Sequence, residues 1–413
     1  MAKHKKQIWI AAAVLLLIAV TVGLVWAAFG NPQGGPGTDP TGNGTTAPNT
    51  QLEVTAANEQ ELRELLAKDA DLVISVSNDM KVRLGFVVNG SKTLTGSATV
   101  TMELGAELGQ SMLAITEGGS LTLDGLVLDC NYNADGVLVN ANSAFNCLSG
   151  SVKNAGAYGI LAYGDVTVED ISIENSEFIS ICAQSGSRVY VKGGSIKGSA
   201  SNDVYVVPGG YVNISGDTVM EGALEHAMIN YGTLEIFGGK FGNVNNYLCD
   251  NYGELTVAYK GDDKDGAIEF YGARNSVFLV RGGSTASFSG VYIHDTKRQG
   301  IASLGGDTTI SNCKFENTGS HSIDIQGGKA SIDQVVITTS KNSGLEASNG
   351  SQVTVSNFTV NSCDGIGIAS RGASITASNI SISNTGRYGI TCGTTKTGQG
   401  RLNLRDIAEE YVG

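Results

Sequence analysis

From about Leu113 onward, paired apolar residues flank single positions that read as outward-facing, and the motif recurs at a steady interval. Each pair is followed by a Gly-rich turn, an alternating segment and an Asn-rich turn. The clearest copies read GIASLGGDTTISNCKFENTGS from Gly300, SIDIQGGKASIDQVVITTSKN from Ser322, GLEASNGSQVTVSNFTVNSCD from Gly344 and GIGIASRGASITASNISISNTGRY from Gly365, with a partial copy, GITCG, from Gly389. With the first apolar residue as marker, the positions are Ile301, Ile323, Leu345, Ile366 and Ile390, spaced by 22, 22, 21 and 24 residues. Looser copies place markers at Ile160, Ile181, Val204, Ala227, Leu248 and Val277, and the longest gap holds the charged insert Lys260–Asp265. A fixed period of about 20–25 residues means a solenoid, and insertions in its turns are tolerated. Alternating, β-branched segments such as Thr308–Ile310, Val353–Val355 and Ile380–Ile382 predict short strands, two or three to a coil.

The leucine pattern of leucine-rich repeats, the hexads of left-handed β-helices and the GGxGxDxUx calcium nonapeptide are all absent. The Ser311-Asn312, Ser356-Asn357 and Ser378-Asn379 turns suit a coil that bends through left-handed asparagines. On these repeats and turns the sequence resembles the right-handed parallel β-helix repeat proteins, the pectate-lyase-like solenoids, over roughly residues 52–404. The resemblance implies an all-β fold of about 22 residues per coil. It implies no single activity, because the same scaffold hosts lyases, hydrolases, adhesins and passive binders.

At the start of the solenoid, Leu52–Val54 reads as a strand. Asn58 and Glu61 form a capping box ahead of a helix over Glu59–Ala67, with Leu62, Leu65 and Leu66 on one side. Such a helix is expected to cover the open edge of the first coil. At the other end, Arg401–Leu404 reads as a last strand and Arg405–Val412 as a short helical cap; association through an uncapped last coil is a further reading.

Ahead of the repeats, residues 1–7 form a basic tail with Lys3, Lys5 and Lys6. Ile8–Phe29 runs 22 residues without a charge, with Trp9 and Trp26 near its ends. That is long enough to span a bilayer, and the flanking charge predicts a single-pass cell-membrane anchor with a cytoplasmic N-terminus. A cleavable signal peptide is the alternative, with Val25-Trp26-Ala27 as a weak cleavage site; the length favours the anchor. Residues 30–50 are a Gly, Pro and Thr linker with little to bury, and 51–413 form the solenoid domain, extracellular in either case.

The formal charge is −13, and beyond residue 50 there are 24 basic against 39 acidic side chains. Such a surface repels phosphate backbones, so nucleic acid is excluded as a partner, whereas sugars and calcium are not. Seven cysteines lie singly, without CxxC pairs, which fits small interior residues better than a disulfide or metal framework.

Stacked coils turn chemistry into columns about 4.8 Å apart. The position between the apolar pair gives the outward column Phe278, Ala302, Asp324, Glu346, Gly367 and Thr391, with Arg298, Gln299, His321, Ser343, Asp364 and Tyr388 in the preceding turn. Asp324 and Glu346, with His321, are therefore the leading cluster. Two carboxylates on adjacent coils suit a shared calcium ion, the one cofactor considered, or the acid and nucleophile of a retaining glycosidase. Arg298, Asp364 and Tyr388 are candidate sugar contacts, as are the aromatics Tyr158, Tyr205 and Phe278. Asp262, Asp263 and Asp265 resemble part of a calcium loop but lack its Asp-x-Asp-x-Asp-Gly register and its Glu; Asp129, Asn131, Asn133 and Asp135 come closer, but Ala134 replaces the Gly and Asn140 the Glu. His294 precedes Asp295, and neighbours on a strand point apart. The strings NTD, GHG and RIK and the in-strand Asp-Asp pair of polygalacturonase-like enzymes are missing. The sequence thus predicts a membrane-tethered surface module that binds polysaccharide or glycan, as an adhesin or structural element, ahead of a polysaccharide lyase or glycoside hydrolase.

Overall fold

The computed structural model describes residues 51–103, 110–261, 266–395 and 398–410. The tail, the 8–29 span, the linker and the acidic insert Asp262, Asp263 and Asp265 lie outside the described residues. Among those described, no helix is long and apolar enough to cross a membrane.

Gln51 onward is a stack of coils held by parallel strand pairing. One strand per coil joins a fifteen-stranded sheet; the others join a twenty-three-stranded sheet. In each coil, for example, the short strand Ile301–Leu304 is followed by a Gly-Gly turn and the long strand Asp307–Thr318. The long strand turns a corner midway at Asn312, whose φ is 49°. Gly290, Gln334, Asn357 and Asn379 take the same left-handed conformation on neighbouring coils, and Asn379 Nδ2 donates to Asn357 Oδ1 at 2.5 Å. Each coil therefore has three strand segments: one short, and two from the bent long strand.

Sequence alternation fixes what faces inward. Phe241, Phe270, Phe278 and Phe288 stack through the interior with centroids 4.7–4.9 Å apart. Phe278 is thus core and does not belong to the outward column. The pairing corrects the phase of several coils. Ile301, Ile323, Leu345, Ile368 and Ile390 are register partners, giving spacings of 22, 22, 23 and 22 residues. Upstream the same column runs through Val204, Met228, Cys249 and Phe278 in place of Ala227, Leu248 and Val277. The cause is a corner at which two successive residues both point inward: Ala227 with Met228, Leu248 with Cys249 and Val277 with Phe278 are all fully buried. Apolarity alone cannot say which of the two begins the strand.

The helix α1, Glu59–Ala67, forms as its capping box dictates. Asn58 Oδ1 accepts the Glu61 N–H at 3.0 Å, Glu61 Oε2 accepts the Ala57 N–H at 2.8 Å, and Leu62 and Leu66 are buried. At the far end the described part of the segment expected as a helix, residues 405–410, is strand. Arg401–Glu410 is a single strand in parallel register with Ser374–Ser383, because pairing with the preceding coil satisfies a backbone that a lone helical turn would leave open. Cys130, Cys147, Cys249, Cys313 and Cys363 are buried; Cys182, also buried, stands in the outward column, and Cys392 is exposed.

One acid lies inside the stack. Asp203 is fully buried, with Oδ1 accepting the Ser199 hydroxyl at 2.7 Å and Oδ2 without a partner. Burial pushes its pKa up to about 8. A carboxyl whose folded pKa is raised favours folding fully below its unfolded value, near 4, and loses that contribution as pH rises to about 8. Thermal unfolding should therefore drop as pH climbs from about 4 to 8, and Asp203→Asn should flatten the profile and raise stability at pH 8 by a few kcal/mol. A melting series of both proteins across that range checks it.

Candidate functional site on the short-strand sheet

The outer face of the fifteen-stranded sheet brings three columns together. The central one follows the inward marker by one residue: Tyr205, Ile229, Asp250, Leu279, Ala302, Asp324, Glu346, Ala369 and Thr391 are successive partners. Asp324 and Glu346 are thus adjacent, as the repeat predicts; Leu279 and Ala369 take the places assigned to Phe278 and Gly367. The second column, two residues further on, holds Tyr231, Tyr252, Arg281, Gln326, Ser348 and Arg371. The third lies in the corner before the strand, where Gln299, His321, Ser343, Ile366 and Tyr388 carbonyls accept from the neighbouring coil.

The two halves of this face differ in chemistry. Upstream it is aromatic. Tyr231 and Tyr252 stack at 4.5 Å and 12°, Tyr205 lies 5.8 Å from Tyr231, and Tyr158 meets Phe178 edge-on at 5.8 Å. Tyr231 and Tyr252 are about two-fifths exposed, at 37% and 40%. The tract ends where Arg281 grips the buried carboxylate of Asp250 with two bonds of 2.8 Å and lays its guanidinium 5.1 Å from the Tyr252 ring.

Downstream the face is polar. Asp324, 4% exposed, accepts from Gln326 Nε2 at 2.9 Å and Gln299 Nε2 at 3.3 Å. Glu346 Oε1 meets Arg371 Nε at 3.0 Å, while Oε2 lies 3.6 Å from His321 Nε2 and has no hydrogen-bond partner. His321 Nδ1 accepts the Ser343 N–H at 3.3 Å, and Nε2 also lies 3.4 Å from Asn342 Nδ2. The predicted trio of His321, Asp324 and Glu346 therefore does assemble, with Arg371 as the cation beside it. Among the described residues no group of three or more His, Cys, Asp or Glu side chains is arranged to hold a metal.

The other candidates fall away from this centre. Asp364 makes an exposed ion pair with Lys341 at 3.7 Å, and a turn one residue longer puts Ile366 in the corner column instead. Arg298 is exposed one residue before Gln299, and Tyr388 is 65% exposed in the corner near the last coil. Asp129 and Asp135 are spent on backbone and turn contacts: Asp129 Oδ1 accepts the Asn131 N–H and Asn154 Nδ2, and Asp135 Oδ1 accepts the N–H groups of Ala157 and Tyr158 on the next coil.

Unsatisfied polar atoms gather on this same sheet. Of four buried side-chain atoms without a partner among the described residues, Asn202 Nδ2, His226 Nδ1 and Glu346 Oε2 lie on its outer face or corner. Asn202 and His226 are register partners on adjacent coils. His226 stacks on Tyr247, takes Asn246 Nδ2 at Nε2, and is pushed by burial below its ordinary pKa.

A second cluster corrects the expectation about His294. The imidazole reaches both Asp295, 2.8 Å from Nδ1, and Glu269, 2.9 Å from Nε2, between the rings of Tyr271 and Tyr292. Asp295 has φ 51°, so the strand bends there and the two neighbours converge. The bond from His294, and then that from Asn317, holds the Asp295 carboxyl below its usual range. This cluster is on the outer segment of the long strands, away from the tyrosine tract.

Comparison with known proteins agrees with this architecture. Residues 275–405 match the family model for the right handed beta helix region. The catalytic domain of a GH87 α-1,3-glucanase solved with nigerose is similar at 14% identity and a TM-score of 0.52, over 92% of this chain and 70% of that one. PfbA, a surface adhesin of Streptococcus pneumoniae, aligns at 11% identity and a TM-score of 0.41, over 82% of this chain and 89% of that one. No curated protein matches the chain. The class is settled by pairing and family model together: a right-handed parallel β-helix. The glucanase, at such low identity, shows the fold and nothing more.

Because Asp250 is almost fully buried, removing its partner strands a charge. Arg281→Ala should cost about 3 kcal/mol of stability, whereas Arg281→Ala/Asp250→Asn together should recover most of it. Denaturant melts of the single and double variants measure the coupling.

Proposed function

We propose that the outer face of the short-strand sheet binds polysaccharide. The observation that carries this reading is the tract of Tyr205, Tyr231 and Tyr252 on the outer face of one sheet, followed on the same face by Arg281, Gln326, Ser348 and Arg371. Exposed tyrosine rings offer apolar faces to sugar rings and hydroxyls to their edges. Beyond Arg281 the same face presents Gln326, Ser348 and the exposed Arg371 as polar partners for sugar hydroxyls. The nigerose carried by the similar glucanase makes α-1,3-linked glucan the first ligand to try.

Binding is favoured over cleavage by the state of the carboxylates. Asp324 is buried and already accepts two amides, and Glu346 is held by Arg371 at Oε1 while its Oε2 is buried, so neither carboxyl is exposed to protonate a leaving group or attack an anomeric carbon. In this reading residues 8–29 tether the chain to the cell membrane, 30–50 space it away, α1 shields the first coil, and the face is presented outside the cell as a glycan-binding or adhesive module.

Tyr231→Ala/Tyr252→Ala should weaken binding to α-1,3-linked oligosaccharides at least tenfold with little change in melting temperature. Titration calorimetry measures the loss, and a reducing-sugar assay on the same ligands should show no turnover. Undiminished binding by the double variant, or turnover abolished by Asp324→Asn, would overturn the proposal.

A further inference from the structure

A separate groove of about 700 Å³ lies along the first segment of the long strands, reaching from Glu254 to Thr376. Its floor is a single register column, Thr256, Ser287, Thr309, Ser331, Thr354 and Thr376, one residue from each successive coil. Coils about 4.8 Å apart make this a straight row parallel to the axis. Upstream the same column holds Tyr190, Asn213 and Glu235. There the side chains consume one another: Tyr211 Oη donates to Glu235 at 2.6 Å and Asn213 Nδ2 at 3.1 Å. The groove opens where these large, mutually bonded groups give way to short hydroxyls.

Those hydroxyls are not spent on the protein. Ser287 donates weakly to Thr256 at 3.4 Å, but the exposed hydroxyls of Thr309, Ser331, Thr354 and Thr376 make no side-chain hydrogen bond among the described residues. The charged lining is sparse. Glu254 and Asp307 face one Lys329, and Asp307 is partly engaged by the Lys329 N–H at 3.2 Å. An anionic chain would find a single cation here; a cationic one would find two separated acids. A neutral chain loses nothing to charge, and each threonine offers it both a hydroxyl and a methyl.

From this we infer that the groove is a second binding site, taking an extended neutral polysaccharide laid parallel to the coil axis. Sugar hydroxyls donate to and accept from successive Thr and Ser hydroxyls, and ring C–H faces rest on the threonine methyls. It is independent of the tyrosine face: the two belong to different sheets and share no residue.

The test uses Thr309→Val/Thr354→Val/Thr376→Val, which removes three hydroxyls while keeping β-branched shape on an exposed face. The probes are a long linear neutral glucan and an alginate of similar length. The triple variant should lose about tenfold in affinity for the glucan, keep its melting temperature, and add to the loss from the tyrosine double variant. Wild-type binding to the glucan through this groove should be insensitive to salt. Wild-type affinity in the triple variant, no glucan binding by the wild-type protein, or a salt-sensitive preference for alginate that the triple variant abolishes would each overturn the inference. If the tyrosine variant alone abolishes binding, the groove proposal falls and the proposed function stands; if the threonine variant alone does so, the reverse holds.

Discussion

Every functional statement about this molecule rests on the coil-to-coil backbone ladder. Parallel pairing fixes neighbouring strands at about 4.8 Å and in a single register, so a residue's meaning is set by its column. Asp324 meets Glu346, Tyr231 meets Tyr252 and Thr309 meets Ser331 for the same reason. A slip of one residue would turn each of these inward and expose the core. The left-handed corner at Asn312, Asn357 and Asn379, and the phenylalanine stack within, are what hold that register against slippage.

Given a fixed ladder, the distribution of polar groups becomes informative. Inside the stack, polar side chains pair with one another: Asn230 Nδ2 donates to Asn251 Oδ1 at 2.7 Å, and Asn251 Nδ2 reaches the Thr285 carbonyl at 3.0 Å. The His294 cluster closes on itself between Asp295 and Glu269 in the same way. Among the described residues Asp203 Oδ2 stays unpartnered inside the stack, and three further unpartnered atoms lie buried along the short-strand sheet, the same sheet that exposes Tyr231 and Tyr252. A row of exposed rings on a regular sheet is the pattern of a surface shaped for a partner.

Sequence periodicity revealed the solenoid and α1, and it paired Asp324 with Glu346, because the coils from Ile301 to Leu345 have equal length. It lost the phase wherever a corner buries two apolar residues in a row, as at Val277-Phe278, or where a turn lengthens, as between Leu345 and Ile368. That error hid the tyrosine tract: markers at Ala227, Leu248 and Val277 put Tyr231, Tyr252 and Arg281 four residues on, at an inward position. With the correct phase all three lie three residues after an inward marker, and so face outward. The His294–Asp295 contact was not legible, because it depends on a left-handed φ that no periodic rule supplies. Arg401–Leu404 was legible as a strand, but the segment from Arg405 looked helical because its charges and apolar residues suit either state, and only the preceding coil decides between them.

The most direct test of the central claim is a fluorine NMR titration of protein labelled with 3-fluorotyrosine, with resonances assigned by single Tyr→Phe variants and α-1,3-linked oligosaccharide as ligand. Saturable shifts of Tyr205, Tyr231 and Tyr252, with Tyr271 and Tyr292 unmoved, are what a glycan-binding short-strand face predicts. Shifts confined to Tyr271 and Tyr292, or no shift at any tyrosine at saturating ligand, would contradict it.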